Sequence, residues 1–83
     1  MIEIRLDDEL LLYQDDFREA LLETIDELVN DENMTLAKTY KCYRNYSDED
    51  LIEEIQGLTD KRLTIIFNFP LDYRVDVKQH ILD

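Results

Sequence analysis

The sequence predicts a small two-layer α+β domain in which two helices lie on one face of a sheet. Two stretches place apolar residues at helical spacing, and they alternate with stretches of strand-like composition. The 83 residues are enough for one hydrophobic core, and they include only one Gly and one Pro, so most of the chain can be regular structure. We therefore predict a single domain over residues 1–83 with the order β-α-β-α-β and a C-terminal strand or helical turn.

The predicted strands differ in the clarity of their patterns. Residues 1–6 alternate apolar and polar side chains, and residues 62–69 form the most apolar run of the chain. Residues 34–44 are rich in β-branched and aromatic residues and contain no acid, so we expect a strand there too. Residues 7–14 fit a capped helix start, a turn of helix or a second strand. Residues 71–82 fit a short helix or, as we expect, a last strand followed by a helical turn.

Two helices are predicted because acidic and apolar side chains separate onto opposite faces at ~100° per residue. The first covers residues 15–31 and the second covers residues 48–57. Ser47 and Asp50 have the spacing of a capping box, and Gly57 stands where a helix would end. The aromatic residues expected in the core are Phe17, Tyr40, Phe67 and Phe69.

Negative charge is concentrated in the helical segments. The formal net charge is −12, of which residues 1–32 carry −10 and residues 47–60 carry −6, whereas residues 33–46 carry +3 and residues 61–83 carry +1. Solvated helices usually pair Glu with Lys, yet these two contain a single base, Arg18. We expect one strongly negative side of the molecule, which repels nucleic acid and anionic lipid and attracts basic partners.

The charge spacing on the first helix approaches that of DNA. Eight carboxylates lie within residues 15–32, which is roughly one per 3 Å along a helix that rises ~1.5 Å per residue. One DNA strand carries a charge every ~3.4 Å. A solvated surface is the alternative interpretation; under the DNA-like one, each carboxylate replaces a phosphate and faces Lys or Arg of a partner. The predicted partner-binding residues are Asp15, Asp16, Glu19, Glu23, Asp26, Glu27 and Asp31 on the first helix and Glu49, Asp50, Glu53 and Glu54 on the second.

No motif for catalysis, a cofactor or a metal is recognisable, so we expect a protein that is not an enzyme and binds no cofactor. The acidic runs lie on faces predicted to be exposed, which does not suit acid–base catalysis. They also lack the Gly and the ligand spacing of an EF-hand loop. Cys42 is expected to be a small buried side chain, and His80 a surface side chain.

Partners and location follow from the same composition. Residues 38–46 interleave bases with aromatic rings, but three positive charges compete with the whole negative field, so we expect no direct nucleic-acid binding. A lone Cys fits a reducing compartment. The N-terminus lacks the pattern of a signal peptide and no stretch is long enough to span a membrane. We therefore expect a cytoplasmic protein with no membrane partner.

In size, acidity and segregated charge, the chain resembles the phage-encoded DNA-mimic proteins, which occupy the DNA-binding surfaces of host factors. Within that class it looks most like a host-takeover inhibitor of the nucleoid protein HU from a large lytic phage. The resemblance covers the whole chain and is compositional. It implies stoichiometric binding to a basic DNA-binding protein, no chemistry, and residence in the infected bacterial cytoplasm.

Two other classes of function stay open. One is a protein-interaction module, such as an antitoxin or regulatory subunit, that docks through an apolar or Tyr-rich surface. The other is a mimic aimed at a nuclease, a restriction enzyme or a CRISPR complex. Salt sensitivity separates mimicry from apolar docking. Because a chain this short buries limited area, a homodimer would add stability.

Overall fold

The computed structural model describes residues 1–29, 35–68 and 72–76, with residue 68 and the last segment described as backbone only. The elements are β1 (Ile2–Leu6), β2 (Glu9–Gln14), α1 (Phe17–Val29), α2 (Leu36–Tyr43), α3 (Asp48–Leu58), β3 (Leu63–Asn68) and β4 (Asp72–Asp76). The strands form an antiparallel sheet in the order β2-β1-β3-β4. The predicted α+β class, with helices packed on a sheet, is confirmed.

A tight turn joins β1 to β2 and settles the ambiguity of residues 7–14. Asp7 and Asp8 have φ angles of 50° and 70°, a left-handed conformation that costs least, among residues other than Gly, for Asp and Asn. Arg62 holds this turn. Its backbone N–H donates to Asp7 Oδ1 at 2.7 Å, and its guanidinium donates to both carboxylate oxygens of Asp8 at 3.2 Å.

The core lies between one face of the sheet and the helices. On β1, Ile2, Ile4 and Leu6 alternate with polar residues, and each pairs with an apolar residue of β3 on the same face. Each such fully buried side chain contributes roughly 1.5–3 kcal/mol. The buried cluster comprises Ile2, Ile4, Leu6, Ala20, Leu21, Leu22, Ile25, Leu51, Ile55, Leu63 and Ile65.

The aromatic residues expected in the core lie at its margin instead. Phe17, Tyr40 and Phe67 are half-buried and pack against the cluster. The rings of Phe17 and Phe67 are 5.5 Å apart, within the range of a favourable tilted pair. Phe69 lies outside the described residues. The centre of the core is therefore aliphatic.

The strand predicted over residues 34–44 is wrong, because Leu36–Tyr43 form helix α2; residue 34 itself lies outside the described residues. Thr35 caps this helix, since its side-chain oxygen accepts from Lys38 N–H at 3.2 Å. Thr39 is buried, and Tyr40 and Tyr43 are half-buried. Those three positions share one helical face. The element order is thus β-β-α-α-α-β-β.

The helices are arranged around α1. Thr39 on α2 reaches Asp26 near the end of α1, whereas Arg18 near the start of α1 reaches the end of α2, so the two helices run antiparallel. Arg18 also bonds Asp48 at the start of α3, so α1 and α3 begin at the same end of the molecule. In the described residues, no helix is long and apolar enough to cross a membrane.

Candidate partner-binding surface

Helix α3 presents the most exposed row of carboxylates. Ser47 caps the helix, because its Oγ accepts from Asp50 N–H at 3.1 Å, which confirms the predicted cap. The side chains of Glu49, Asp50 and Glu53 are exposed. Within the described part of the chain, no ion pair joins any of these three to a base. Their charges are therefore free to face a partner.

The start of α1 adds a second acidic group. Asp16 Oδ1 accepts from Glu19 N–H at 2.9 Å and so caps the helix. Asp15 is exposed and lies 3.9 Å from the N-terminal ammonium. Glu19 is exposed, as is Glu27 in the last turn. As with α3, no base in the described segments forms an ion pair with Glu19 or Glu27.

Two predicted site residues of α1 are instead engaged inside the protein. Glu23 accepts from Gln14 Nε2 at 3.0 Å, and Asp26 accepts from the Thr39 hydroxyl at 3.2 Å. Both carboxylates are half-buried. These two side chains hold β2 and α2 against α1. They are therefore less accessible to a partner than a helical projection indicates. Asp31 lies outside the described residues.

Helix α2 brings positive charge beside the acids of α1. Residues 34–44 were expected to form a strand of the sheet, but α2 and its end carry Lys38, Lys41 and Arg44 on the surface. Arg44 shares a shallow groove with Asp16 and Glu19. The negative surface is therefore bounded by a basic helix on one side.

Arg18 links three helices, a role that the helical pattern around it does not predict. Its guanidinium donates to Asp48 Oδ1 at 3.2 Å and to the carbonyl oxygens of Tyr43 and Arg44 at 3.0 and 3.3 Å. It thereby satisfies backbone acceptors at the end of α2. The one sequence signal for this role is that Arg18 is the single base of α1.

Two tyrosines lie among the carboxylates and remain protonated to higher pH. Burial, followed by the charges of Glu19, Glu23 and Asp16, raises the pKa of Tyr40. Burial, followed by the charge of Glu54 and a hydrogen bond to it, raises the pKa of Tyr43. The Tyr43 hydroxyl donates to Glu54 Oε1 at 3.3 Å, so Glu54 is also partly engaged within the fold.

A groove of about 290 Å³ runs along α3 and combines acidic and apolar walls. The ring of Tyr46 packs edge-on against that of Tyr43, with centroids 4.9 Å apart. A Cβ added at Gly57 would meet no atom within 4 Å, so the groove has free space beside this residue. Such a groove fits the apolar stem and charged head of Lys or Arg. It is lined by Tyr46, Asp50, Glu53, Glu54, Gly57 and Leu58.

The remaining chemistry-bearing residues form no further site in the described segments. Cys42 is exposed, so the prediction that it is buried is wrong; it lies on the outer side of α2. Among the residues that the structure describes, no group of three or more His, Cys, Asp or Glu side chains could hold a metal ion. His80 lies outside them.

Comparison with protein-family models, with curated proteins and with solved structures gave no match.

Proposed function

We propose that the protein is a non-enzymatic DNA mimic that binds the DNA-contacting surface of a basic protein, such as an HU-type nucleoid protein, and excludes DNA from it. The observation that carries the proposal is the set of exposed carboxylates on neighbouring helices, which form no ion pair with any base in the described residues. Opposite charge on a partner is the direct way to stabilise them. This set comprises Glu19, Glu27, Glu49, Asp50 and Glu53.

Part of the acidity also stabilises the fold itself, so its presence supports the proposal less than that of exposed acids elsewhere. Asp16 caps α1, and Asp48–Asp50 occupy the first turn of α3, where carboxylates favour the helix dipole. Glu27 is different, because it lies in the last turn of α1, where a negative charge opposes the dipole. Glu53 lies beyond the first turn of α3 and is exposed. Neither charge is explained by capping or by the dipole of its own helix, which supports a role outside the fold.

The proposed contact surface is smaller than the sequence indicates. It runs from the exposed acids at the starts of α1 and α3 along both helices, to Glu27 on α1 and to the groove beside Tyr46 and Leu58 on α3. Both of these side chains are 39% exposed. Each basic side chain of the partner would replace a DNA phosphate contact with a carboxylate contact. The groove would hold the apolar stem of one Lys or Arg side chain of the partner. The partner shares the bacterial cytoplasm with this protein.

A matched pair of charge reversals tests the surface. Glu53→Lys and Glu9→Lys change the net charge equally, and both positions are exposed, but only Glu53 lies in the proposed surface. Titration calorimetry with a purified HU-type protein should show at least tenfold weaker binding for Glu53→Lys. Glu9→Lys should bind almost as tightly as the unmodified chain.

Equal weakening by the two variants would mean that only the overall field matters and would contradict the proposed surface. Affinity that is unaffected by either change would favour the interaction module, which would dock through exposed apolar side chains such as Tyr46 and Leu58.

A further inference from the structure

The outer edge of β2 is an unpaired sheet edge in the described part of the chain. The strand order places β2 at one end of the sheet, and its other edge pairs with β1. Edge strands expose backbone N–H and C=O groups that can pair with another strand, and proteins usually protect them with charge or Pro. Here β2, ELLLYQ, carries a single charged residue, Glu9, and no Pro.

A bulge places two large side chains of β2 on the sheet face away from the helices. Leu10 pairs with Arg5 and Tyr13 pairs with Glu3, and the register shifts between these pairs. Directly paired residues share a face, and so do residues two apart on β1. Leu10 and Tyr13 therefore lie on the same face although they are three apart. They are 43% and 51% exposed.

These positions make the strand complementary to itself. In antiparallel pairing of two β2 strands about a centre between Leu11 and Leu12, Leu10 faces Tyr13 of the second copy and Glu9 faces Gln14. Each of these pairs joins residues that already share a face of the sheet. Tyr13 would then cover an aliphatic neighbour, and no like charges within the strand oppose one another.

We propose that the outer edge of β2 pairs with β2 of a second copy of this chain, joining two sheets across a two-fold axis. A symmetric dimer requires one patch that complements itself, and the register of β2 meets that requirement. The strand itself carries one charged residue in a chain of net charge −12. The acids that flank it, Asp7, Asp8, Asp15 and Asp16, would meet at the two ends of the paired strands and oppose the association at low salt. The proposal is independent of the mimic function.

Salt distinguishes this association from binding to a basic partner. Two copies of like charge repel, so screening should raise the dimer fraction, whereas screening should weaken the contact with a basic protein. In sedimentation velocity at increasing concentration, the unmodified chain should shift from 10.0 kDa to twice that mass. At high salt, the same shift should occur at a lower concentration. A mass of 10.0 kDa under all these conditions would overturn the proposal.

Complementary substitutions test the register. Leu10→Glu and Tyr13→Lys should each weaken the dimer at least tenfold, because each puts a charge against an apolar side chain of the second copy. An equimolar mixture of the two variants should recover the dimer. In the mixed dimer the new carboxylate of one copy faces the new ammonium of the other, and the second Leu–Tyr contact remains. Leu58→Glu is the control at an equally apolar exposed site on α3 and should leave the dimer intact.

Equal dimerisation by all variants, or loss only with Leu58→Glu, would overturn the proposal. Far-ultraviolet circular dichroism checks that each variant folds. Should one fail to fold, hydrogen exchange of the unmodified chain decides. The amides of Glu9–Gln14 should become more protected as concentration rises, and concentration-independent exchange there would refute the pairing.

Discussion

Arg18 connects the three helices through a single side chain. One planar guanidinium satisfies Asp48 and two carbonyl oxygens at the end of α2. Hydrogen bonds that involve a charged group are stronger than neutral ones, but the side chain is 35% exposed, so solvent screening reduces their worth.

We expect Arg18→Ala to lower the free energy of unfolding by about 1–2 kcal/mol in urea denaturation. Arg18→Lys should recover only part of the loss, because an ammonium keeps the charge without the fork that spans both carbonyl oxygens and Asp48. A fully stable Arg18→Lys protein would show that charge alone matters there. An unchanged Arg18→Ala protein would contradict the linking role.

Tyr43 makes stability depend on pH in the alkaline range. Its pKa is raised above the ordinary 10.0 by burial, by the charge of Glu54 and by their hydrogen bond. The folded state therefore holds the phenolic proton more tightly than the unfolded chain. The stability that results is fully present below the unfolded pKa and is lost as the pH rises through the folded pKa.

Tyr43→Phe should reduce the fall in unfolding free energy between about pH 9 and pH 11, because it removes one of the titrating groups. Tyr40 has a pKa raised in the same direction, so some slope should remain. Urea denaturation at stepped pH measures the effect. The same slope in both proteins would show that the tyrosine titrates alike in the folded and unfolded chains.

At the scale of elements, the start of α3 determines how its carboxylates are presented. Ser47 Oγ accepts from Asp50 N–H, and this bond satisfies an otherwise unpaired donor in the first turn. Ser47→Ala should lower the free energy of unfolding by about 1 kcal/mol, whereas Ser47→Gly should cost only a few tenths of that. Chemical denaturation of the two variants compares them directly. Equal stability of all three proteins would mean that the cap contributes nothing.

The bounds of elements with a clear hydrophobic period were predicted to within one or two residues. Alternation identified β1, the apolar run identified β3, and the wheel of apolar and acidic residues identified α1 and α3. Helix α2 was not predicted because its β-branched and aromatic residues are typical of a strand, although some of them also have helical spacing. Thr35 as a cap and the helical spacing of Thr39, Tyr40 and Tyr43 were the contrary signals. The turn before β2 was ambiguous because its Asp pair also resembles a helix start.

The error at α2 explains two of the predicted site residues that are engaged within the fold, Asp26 and Glu54. Glu23 is bound instead by Gln14 of β2. A helical wheel correctly placed Glu19, Glu27 and Glu53 at the surface. It could not show that a neighbouring helix would cover part of the same face. Asp26 is held by Thr39 of that helix, a contact that depends on the tertiary arrangement rather than on the sequence of α1.

At the scale of the whole molecule, function is proposed to arise from the separation of charge. Helices α1 and α3 expose carboxylates, among them Glu19, Glu27 and Glu53, that form no ion pair with any base in the described residues. The basic helix α2 limits them on one side, and strand β2, with one charged residue, lies at the sheet edge. The groove along α3 adds an apolar wall to the acidic one. A partner that binds this surface through Lys and Arg would lose its access to DNA phosphates.

A displacement titration shows whether the chain and DNA compete for the same surface of the partner. Labelled duplex DNA is bound to a purified HU-type protein, and fluorescence anisotropy is followed as the unmodified chain is added at low and at physiological salt. A DNA mimic should release the DNA stoichiometrically. It should bind the HU-type protein more weakly at the higher salt, because the exposed charges are screened. DNA that stays bound beside the chain, with an affinity for the chain that does not change with salt, would contradict mimicry.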